Sequence, residues 1–330
     1  MTHSIALHFE DGVTRFVTCG PAETVADAAY RAGINIPLDC RDGACGTCKT
    51  RVEAGAYSGG DYIEDALTDE EAAEGYALAC QMRPQTDMVV QILAGSAACK
   101  TKPGAHTATL AALQRLSDST IAFTLDGVAP GFLPGQYVSI GVPGTAHARA
   151  YSFSSAPGAP ASFLVRHIPG GAMSGFLAAT EPGITLSFIG PSGSFYLRDV
   201  VRPVLMLAGG TGLAPFLSML GRLAQTGAAY PVHLVYGVTN DADLVLTDAL
   251  DAYVAANPNF TYTTVVADAG SAHPQRGYVT NHLDPAALHC GDVDVYVCGP
   301  PAMVDAVRAH LAAQNVTPAR FYTEKFLAAA

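Results

Sequence analysis

The sequence predicts a multidomain chain of α+β and α/β architecture, and three observations lead to that prediction. A β-rich region with one helix comes first and holds a run of closely spaced cysteines. Short alternating apolar runs between Gly/Pro turns follow, which is typical of an antiparallel β-barrel. Apolar strands then alternate with helical segments, which predicts a parallel α/β sheet covered on both faces. The predicted domains are residues 1–97, 105–202 and 203–330.

Composition limits the class of protein. The chain has 330 residues, of which 49% are hydrophobic and 14% charged, so several globular domains are expected. The N-terminus lacks a basic stretch followed by an apolar run, so we expect no secretory signal and a cytoplasmic location. The most apolar window, residues 204–220, is broken by glycines and a proline. It is predicted as a buried strand, a turn and the start of a helix, and no contact with a membrane is expected.

The negative charge is concentrated in the first domain. The net charge is −11, and residues 1–97 contribute 15 acidic and 6 basic side chains, or −9. The remaining residues hold 14 and 12, or −2. An acidic module beside a nearly neutral body argues against nucleic acid as a partner. The acidic segment 61–74 is either a solvated helix face or a surface that steers a basic protein partner, and the sequence leaves both interpretations open.

Four cysteines in the first domain predict a metal centre. Their spacing is C-x4-C-x2-C-x31-C, with only one C-x2-C pair, whereas zinc ribbons usually have two. The spacing is that of plant-type [2Fe–2S] ferredoxins, in which one loop supplies three thiolates and a distant segment the fourth. Gly43 and Gly46 would let backbone amides approach the cluster. The predicted ligands are Cys40, Cys45, Cys48 and Cys80, whereas Cys19, Cys99 and Cys290 are predicted as apolar fillers.

The flanking pattern agrees with such a module. Residues 5–9 alternate as a half-buried strand should, residues 24–33 read as a helix ended by Gly33, and residues 88–93 read as a closing strand. This arrangement resembles the β-grasp fold of plant-type ferredoxins. The polar stretch 95–104 is predicted as a linker.

Two short motifs in the middle domain suit a flavin. "RAYSFSS" (149–155) offers Arg149 for a phosphate, Tyr151 to stack on the ring system and Ser152 as a hydroxyl near N5. "GGAMSGFL" (170–177) places Ser174 and backbone amides near a helix start, where phosphates bind well. The first motif alone would also fit an ordinary strand.

Two motifs in the last domain suit a nicotinamide nucleotide. "AGGTGLAPF" (208–216) follows an apolar strand and opens a helix, so its glycines leave bare backbone for a pyrophosphate. Pro215 suits the first helical turn. "VYVCGPPAM" (295–303) ends a strand at Cys298, which would therefore stand beside the nicotinamide. Phe326, near the C-terminus, would either cover the outer flavin face or be the one packed aromatic residue of a frayed tail.

The order of these motifs resembles the ferredoxin–NAD(P)H reductase superfamily with an N-terminal plant-type ferredoxin. Within it, phrases such as "DCRDGACGTC", "GPSGSFYLRDV" and "RPVLMLAGGTG" are most similar to reductase components of benzoate 1,2-dioxygenases. The resemblance implies FAD, one [2Fe–2S] cluster, NADH as donor and a Rieske-type terminal oxygenase as acceptor. Two departures are Ala150, where many relatives have Ser, and Thr323, where close relatives carry an aromatic residue.

The resemblance also assigns site residues. Catalysis is assigned to Tyr151, Ser152, Cys298 and Phe326. The flavin site comprises Arg149, Tyr151, Ser152, Gly171, Ala172, Met173, Ser174 and Phe326. The nucleotide site comprises Gly209, Gly210, Thr211, Gly212, Pro215, Asp241, Cys298, Gly299 and Pro300.

The predicted function is electron transfer by a monomeric NADH-dependent reductase. NADH gives two electrons as a hydride, whereas an oxygenase metal site takes them singly, so flavin and cluster mediate. Asp241 and Asp243, in a loop without Lys or Arg, predict a preference for NADH over NADPH. Two alternatives stay open. The acceptor could be an anthranilate or toluate dioxygenase or a phenol, alkene or methane monooxygenase, or the chain could be an iron–sulfur carrier without reductase activity.

Overall fold

The computed structural model describes residues 2–38, 40–100, 103–126 and 131–326. They form two compact units, one mainly from residues 1–104 and the other mainly from 105–191 and 195–330. The elements of the first unit are β1 His3–Phe9, β2 Thr14–Cys19, α1 Val25–Arg31, β3 Lys49–Ala54, β4 Tyr57–Ser58, α2 Asp69–Ala73, β5 Tyr76–Leu78, β6 Arg83–Pro84 and β7 Met88–Ile92.

The first unit is a five-stranded sheet with one substantial helix. The strand order is β2-β1-β7-β3-β5, and β1 pairs antiparallel with β2 but parallel with β7. Ile5 and Leu7 are completely buried, because alternate residues of β1 face the core. Helix α1 begins after Thr24, whose hydroxyl accepts a hydrogen bond from the Asp27 amide at 3.2 Å. The predicted strands and helix of this module are confirmed.

Two details of the first unit differ from the predictions. The stretch 95–104 was predicted as a linker, but it packs on the module as far as Lys100. Cys99 is buried there, and its carbonyl accepts a hydrogen bond from the Asn35 amide at 2.8 Å. The second detail is α2, which occupies only Asp69–Ala73 of the acidic segment 61–74 that was open to interpretation as a helix face, and which is stabilised by a capping box between Thr68 and Glu71.

The second unit begins with a barrel-like sheet. Its elements are β8 Gly104–Arg115, β9 Thr120–Asp126, β10 Tyr137–Gly141, β11 Ala148–Ser152, β12 Ala161–Arg166, α3 Ala172–Ala179 and β13 Thr185–Ser192. The strand order is β11-β10-β13-β8-β9-β12, and a bridge between Phe153 and Phe163 joins its two outer strands. Stacked aromatic rings fill the interior, with the Phe132 and Phe153 centroids 3.8 Å apart.

The rest of the second unit is a parallel α/β sheet. Its elements are β14 Val204–Gly209, α4 Leu213–Thr226, β15 Val232–Val238, α5 Thr247–Ala256, β16 Phe260–Val266, β17 Asp294–Gly299, α6 Pro301–Ala313 and β18 Arg320–Lys325. The strand order is β16-β15-β14-β17-β18, and every neighbouring pair is parallel. After β14, the chain adds β15 and then β16 on one side of β14, and it then crosses over to place β17 on the other side. The carboxyl ends of β14 and β17 therefore form the switch point at which open sheets bind ligands.

Both faces of this sheet are covered. Val204, Met206 and Ala208 of β14 pack with α4 and α5, whereas Leu205 and Leu207 pack with α6. The near-continuous apolar sequence of β14 follows from burial on both sides. The predicted fold class is thus confirmed.

The C-terminal segment and Cys290 also differ from expectation. The residues before Phe326 are not a frayed tail, because residues 320–325 form β18, a full edge strand. Cys19 and Cys99 are buried fillers as predicted, whereas Cys290 is exposed and the prediction for it is wrong. Its backbone φ of 53° lies in a sharp turn at the surface, where no core is available to receive the thiol. Across the ranges described above, no helix is long and apolar enough to cross a membrane.

Candidate cofactor sites

The four predicted cluster ligands lie in one region of the first unit. Cys40, Cys45 and Cys48 belong to the loop between α1 and β3, and Cys80 follows β5. Cys48 and Cys80 are buried, whereas Cys40 and Cys45 are partly exposed. Two local segments that are distant in sequence therefore present thiols to one another.

The thiols associate in two pairs, Cys40 with Cys45 and Cys48 with Cys80. Burial, with hydrogen bonds to Asp42 and Cys45, raises the pKa of the Cys40 thiol to about 11. The Cys80 sulfur accepts hydrogen bonds from the Cys48 thiol and from the Gly43 amide, and these help to lower its pKa to about 7. Within the described ranges no three His, Cys, Asp or Glu side chains converge on a single ion-sized site. Two dithiol pairs fit the two irons of a [2Fe–2S] cluster.

The glycines of the cluster loop have a steric role beyond the predicted one. Gly43 has a φ of +85°, and a Cβ there would lie 2.4 Å from the Asp61 carbonyl oxygen. A Cβ on Gly46 would lie 2.9 Å from the Ala66 carbonyl oxygen. The crowding therefore comes from the backbone of the segment that covers the loop, and the sequence pattern did not reveal this neighbour.

Strand β11 carries the predicted flavin residues on two faces. Arg149 and Tyr151 are two residues apart, share one face and are partly exposed, whereas Ser152 faces the other way and is buried. Burial raises the pKa of Tyr151 to about 12, so its phenol stays protonated at neutral pH. One aromatic ring and one guanidinium on a shared, accessible face suit a flavin nucleotide.

The second flavin motif forms the start of α3. Gly171 is its N-cap residue, followed by Ala172, and the first-turn amides have no partner within the helix. The Ser174 hydroxyl closes the preceding loop, because it donates to the Ile168 carbonyl at 3.1 Å. Met173 is buried in the barrel core. Backbone amides of this turn, rather than the Met173 and Ser174 side chains, are thus available to an anionic group.

The predicted nucleotide residues meet at the switch point of the sheet. Gly209 ends β14, and Gly210, Thr211 and Gly212 form a 3-10 turn that leads into α4. A Cβ on Gly212 would lie 2.3 Å from the Cys298 carbonyl oxygen, so the turn packs directly against the end of β17. The remaining predicted residues lie nearby in the chain: Pro215 in the first turn of α4, Gly299 at the end of β17 and Pro300 exposed after it. This bare backbone edge suits a pyrophosphate.

A cluster of three side chains joins the barrel to this edge, with Ser152 and Cys298 buried and Glu324 partly exposed. The Ser152 hydroxyl donates to Glu324 Oε2 at 2.8 Å, and the Cys298 thiol donates to the same oxygen at 3.7 Å. Burial raises the pKa of Glu324 to about 7, and it raises the pKa of the Cys298 thiol as well. Such a carboxyl can hold or release a proton near neutral pH.

Glu324 is a candidate functional residue that the sequence interpretation missed. It lies on β18, directly beside Cys298 in the parallel register. The available signal was the run of β-forming residues after α6, which completes one more strand–helix–strand unit. Phe326 follows, and its amide donates to the Gly299 carbonyl at 2.9 Å while its ring packs against the sheet core. Its predicted contact with the flavin stays a prediction.

The two aspartates of the predicted coenzyme loop differ in their contacts. Asp243 accepts hydrogen bonds from Asn240 and from Ser119 of the barrel. Asp241 is exposed and accepts a hydrogen bond from Ser271 at 2.7 Å. Asp241 is therefore the more available for a ribose hydroxyl. The structure also brings Arg276, in the following loop, to the end of β16, and its guanidinium donates to the Ala269 carbonyl at 3.3 Å.

Comparison with protein families gives three matches along the chain. Residues 8–85 match the 2Fe-2S iron-sulfur cluster binding domain, residues 107–196 the oxidoreductase FAD-binding domain, and residues 206–309 the oxidoreductase NAD-binding domain. The predicted cofactors, FAD, NADH and a [2Fe–2S] cluster, are confirmed by these matches.

Known proteins are similar to this chain over nearly its whole length. The toluate 1,2-dioxygenase electron transfer component of Pseudomonas putida is 53% identical over 100% of both chains. The 2-halobenzoate 1,2-dioxygenase electron transfer component of Burkholderia cepacia is 54% identical over 99% of this chain and 98% of its own. Among solved structures, the Amycolatopsis cytochrome P450 reductase is 30% identical, covers 99% of this chain and 100% of its own, and has a TM-score of 0.72.

Proposed function

The chain belongs to the family of electron transfer components of aromatic-ring dioxygenases, and on that premise we propose that its acceptor is the Rieske-type terminal oxygenase of a dioxygenase acting on benzoate or a substituted benzoate. It is an oxidoreductase with FAD-, NAD- and [2Fe–2S]-binding parts. The observation that supports the proposal is the similarity over the full length to two components that serve dioxygenases of this substrate class.

The residues divide the work among the three cofactors. When bound, FAD and the cluster would supply the conversion between the one hydride of NADH, which carries two electrons, and transfer of single electrons. The backbone edge at Gly209, Gly212 and Gly299 would bind the nucleotide so that the nicotinamide stands beside Cys298. The face of β11 that holds Arg149 and Tyr151, with the start of α3, would hold the flavin nucleotide.

The Ser152–Glu324 pair has a positioning role in this scheme. The Glu324 carboxylate accepts from Ser152 and therefore fixes the rotamer of that hydroxyl. With a pKa of about 7, the same carboxyl can hold a proton in a site that becomes dry when the cofactors are bound. Hydride transfer does not require either residue to donate or accept a proton.

We also propose that the protein works as a monomer in the reducing cytoplasm. The residues predicted for all three cofactor sites come from one chain, which supports the proposal of a monomer. The cluster ligands must remain reduced thiolates before assembly, which a reducing compartment favours.

Reconstitution with purified oxygenases tests the acceptor. NADH consumption and hydroxylated product are measured with the oxygenase components of toluate, 2-halobenzoate and anthranilate dioxygenases. A monooxygenase hydroxylase and a cytochrome P450 serve as competing acceptors, because one similar structure is a cytochrome P450 reductase. We expect tightly coupled turnover with an oxygenase for benzoates. Faster coupled turnover with the hydroxylase or the P450 would contradict the proposal, and a visible spectrum without flavin bands would indicate a mere iron–sulfur carrier.

A further inference from the structure

A short, well-anchored segment covers the cluster loop, and we call residues 60–67 the cover segment. At its start the Gly60 amide donates to the Gln81 carbonyl at 3.1 Å, next to a predicted cluster ligand. In its middle the Ile63 amide donates to the Gly43 carbonyl at 3.3 Å. At its end Leu67 is buried, with 3% of its surface exposed. Two hydrogen bonds and one buried side chain thus hold the segment in place. One of these hydrogen bonds is to Gln81, the neighbour of Cys80 in sequence.

The cover segment presents two adjacent apolar side chains to solvent. Tyr62 is 39% exposed and Ile63 is 48% exposed, although the flanking Asp61, Glu64 and Asp65 would suffice for solubility. Exposed apolar residues that occur singly need no explanation, but this pair stands on anchored backbone over a redox centre. An aromatic and an aliphatic side chain ringed by charges is the composition of an interface core with a polar rim.

The surrounding charge indicates what kind of partner fits. Asp61, Glu64, Asp65, Asp69 and Glu70 are exposed around or just after the pair. Glu71 does not belong to this rim, because it is buried and forms an ion pair with Lys49. The remainder of the chain beyond residue 97 is nearly neutral, at −2, and carries no matching excess of positive charge. The acidic rim thus fits a basic surface on another protein.

We propose that Tyr62 and Ile63 are the contact through which the electron acceptor docks over the cluster, with the acidic rim steering its approach. The partner surface would be an apolar recess bordered by Lys and Arg on the terminal oxygenase. This inference rests on the proposed function, and it divides the acidic segment into residues that steer and residues that only stabilise α2. Tyrosine anchors at the centre of such contacts typically dominate the binding energy.

Three single variants test the contact: Tyr62→Ser, Ile63→Ser and, as matched control, Phe16→Ser. Phe16 is an apolar side chain of the same module, 74% exposed on the edge strand β2. Stopped-flow measurements give two rates for the full-length holoenzyme. One is reduction of its own cluster by NADH, and the other is the second-order oxidation of the reduced protein by the purified oxygenase component of toluate 1,2-dioxygenase. Iron content and the visible spectrum report whether each variant retains its cluster.

We expect the Tyr62 and Ile63 variants to lower the second-order rate about tenfold each, because loss of an interface anchor costs about 1.4 kcal/mol or more. Iron content, reduction of the cluster by NADH and the salt dependence of the second-order rate should stay unchanged, and Phe16→Ser should match the unsubstituted protein. Unchanged second-order rates would overturn the inference. Slower cluster reduction by NADH would also overturn it, since the pair would then serve transfer within the chain. If the unsubstituted protein fails to reduce the oxygenase, the proposed function itself fails, and this inference falls with it.

Discussion

Replacing Gly43 by alanine should prevent the cluster loop from adopting the conformation that holds the cluster. Two effects would contribute, a left-handed backbone and a steric overlap, and a matched variant at Gly33 separates them. Gly43 has a φ of +85° and Gly33, at the end of α1, a φ of +77°. Both alanine variants adopt a left-handed backbone that costs about 1–2 kcal/mol. A Cβ on Gly33 would have nothing within 4 Å, so Gly33→Ala carries only that cost.

Gly43→Ala adds a steric overlap that has no flexible side chain to relieve it. The new Cβ would lie 2.4 Å from the Asp61 carbonyl oxygen and 3.0 Å from the Tyr62 Cα, whereas ordinary contact begins at 3.4 Å. Relief requires a backbone shift of about 1 Å in a segment held by hydrogen bonds on both sides. The same shift would pull the Gly43 amide away from the Cys80 sulfur, which it contacts.

We therefore expect Gly33→Ala to keep its iron and to lose about 1–2 kcal/mol of stability. Gly43→Ala should be isolated with little iron and without cluster absorbance. Its NADH-dependent reduction of ferricyanide should persist, because the flavin alone can serve that acceptor. Iron per chain, the visible spectrum and thermal melting of both variants check this. Full iron and a melting curve like that of Gly33→Ala would refute the steric argument.

Three further expectations concern individual side chains. Glu324→Gln should stabilise the second unit at pH 8 by about 3 kcal/mol, since a folded pKa of about 7 against an ordinary 4.5 penalises the ionised carboxylate at about 1.4 kcal/mol per pH unit. The penalty is complete above pH 7 and mostly gone at pH 5, so equal pH profiles of melting for variant and parent would contradict the assignment. Cys80→Ser should lose iron and the reduction of cytochrome c, whereas Cys99→Ala should keep both. The unsubstituted protein should prefer NADH, and Asp241→Asn should raise kcat/KM for NADPH relative to NADH about tenfold, because one charge beside a phosphate is worth about 1–4 kcal/mol. Asp243→Asn should leave that ratio unchanged, and the reverse pattern would show that the wrong aspartate was chosen.

The cofactor loops could be predicted from sequence because their chemistry is local. Three of the four cluster cysteines lie within nine residues of one another. The turn after β14 is recognisable because its glycines leave the backbone accessible. The fold class followed from the change of hydrophobic period along the chain. Each of these signals is complete within a short window, so no long-range contact had to be known.

Several of the missed features depend on contacts between distant segments. Glu324 meets Ser152 across 172 positions of the chain, and the side chain of Asp243 is held by Ser119 of the barrel. The packing of Cys99 against the first module likewise depends on the Asn35 backbone, far away in sequence. Spacing within a motif carries no information about such partners, because they are selected by strand register and domain packing.

The register of β18 also explains why this chain can have Thr323 where close relatives carry an aromatic residue. Side chains alternate along a strand, so Tyr322, Glu324 and Phe326 share one face, while Phe321, Thr323 and Lys325 share the other. The contacts agree: Tyr322 and Phe326 pack with the core on the α4 side, and Lys325 forms an ion pair with Asp305 of α6 at 3.3 Å. Thr323 therefore faces away from Ser152 and toward the α6 side of the sheet. An aromatic residue there would change the packing near α6, but a slip of one residue in β18 would be needed to bring it into the site, and that slip would remove Glu324 from Cys298.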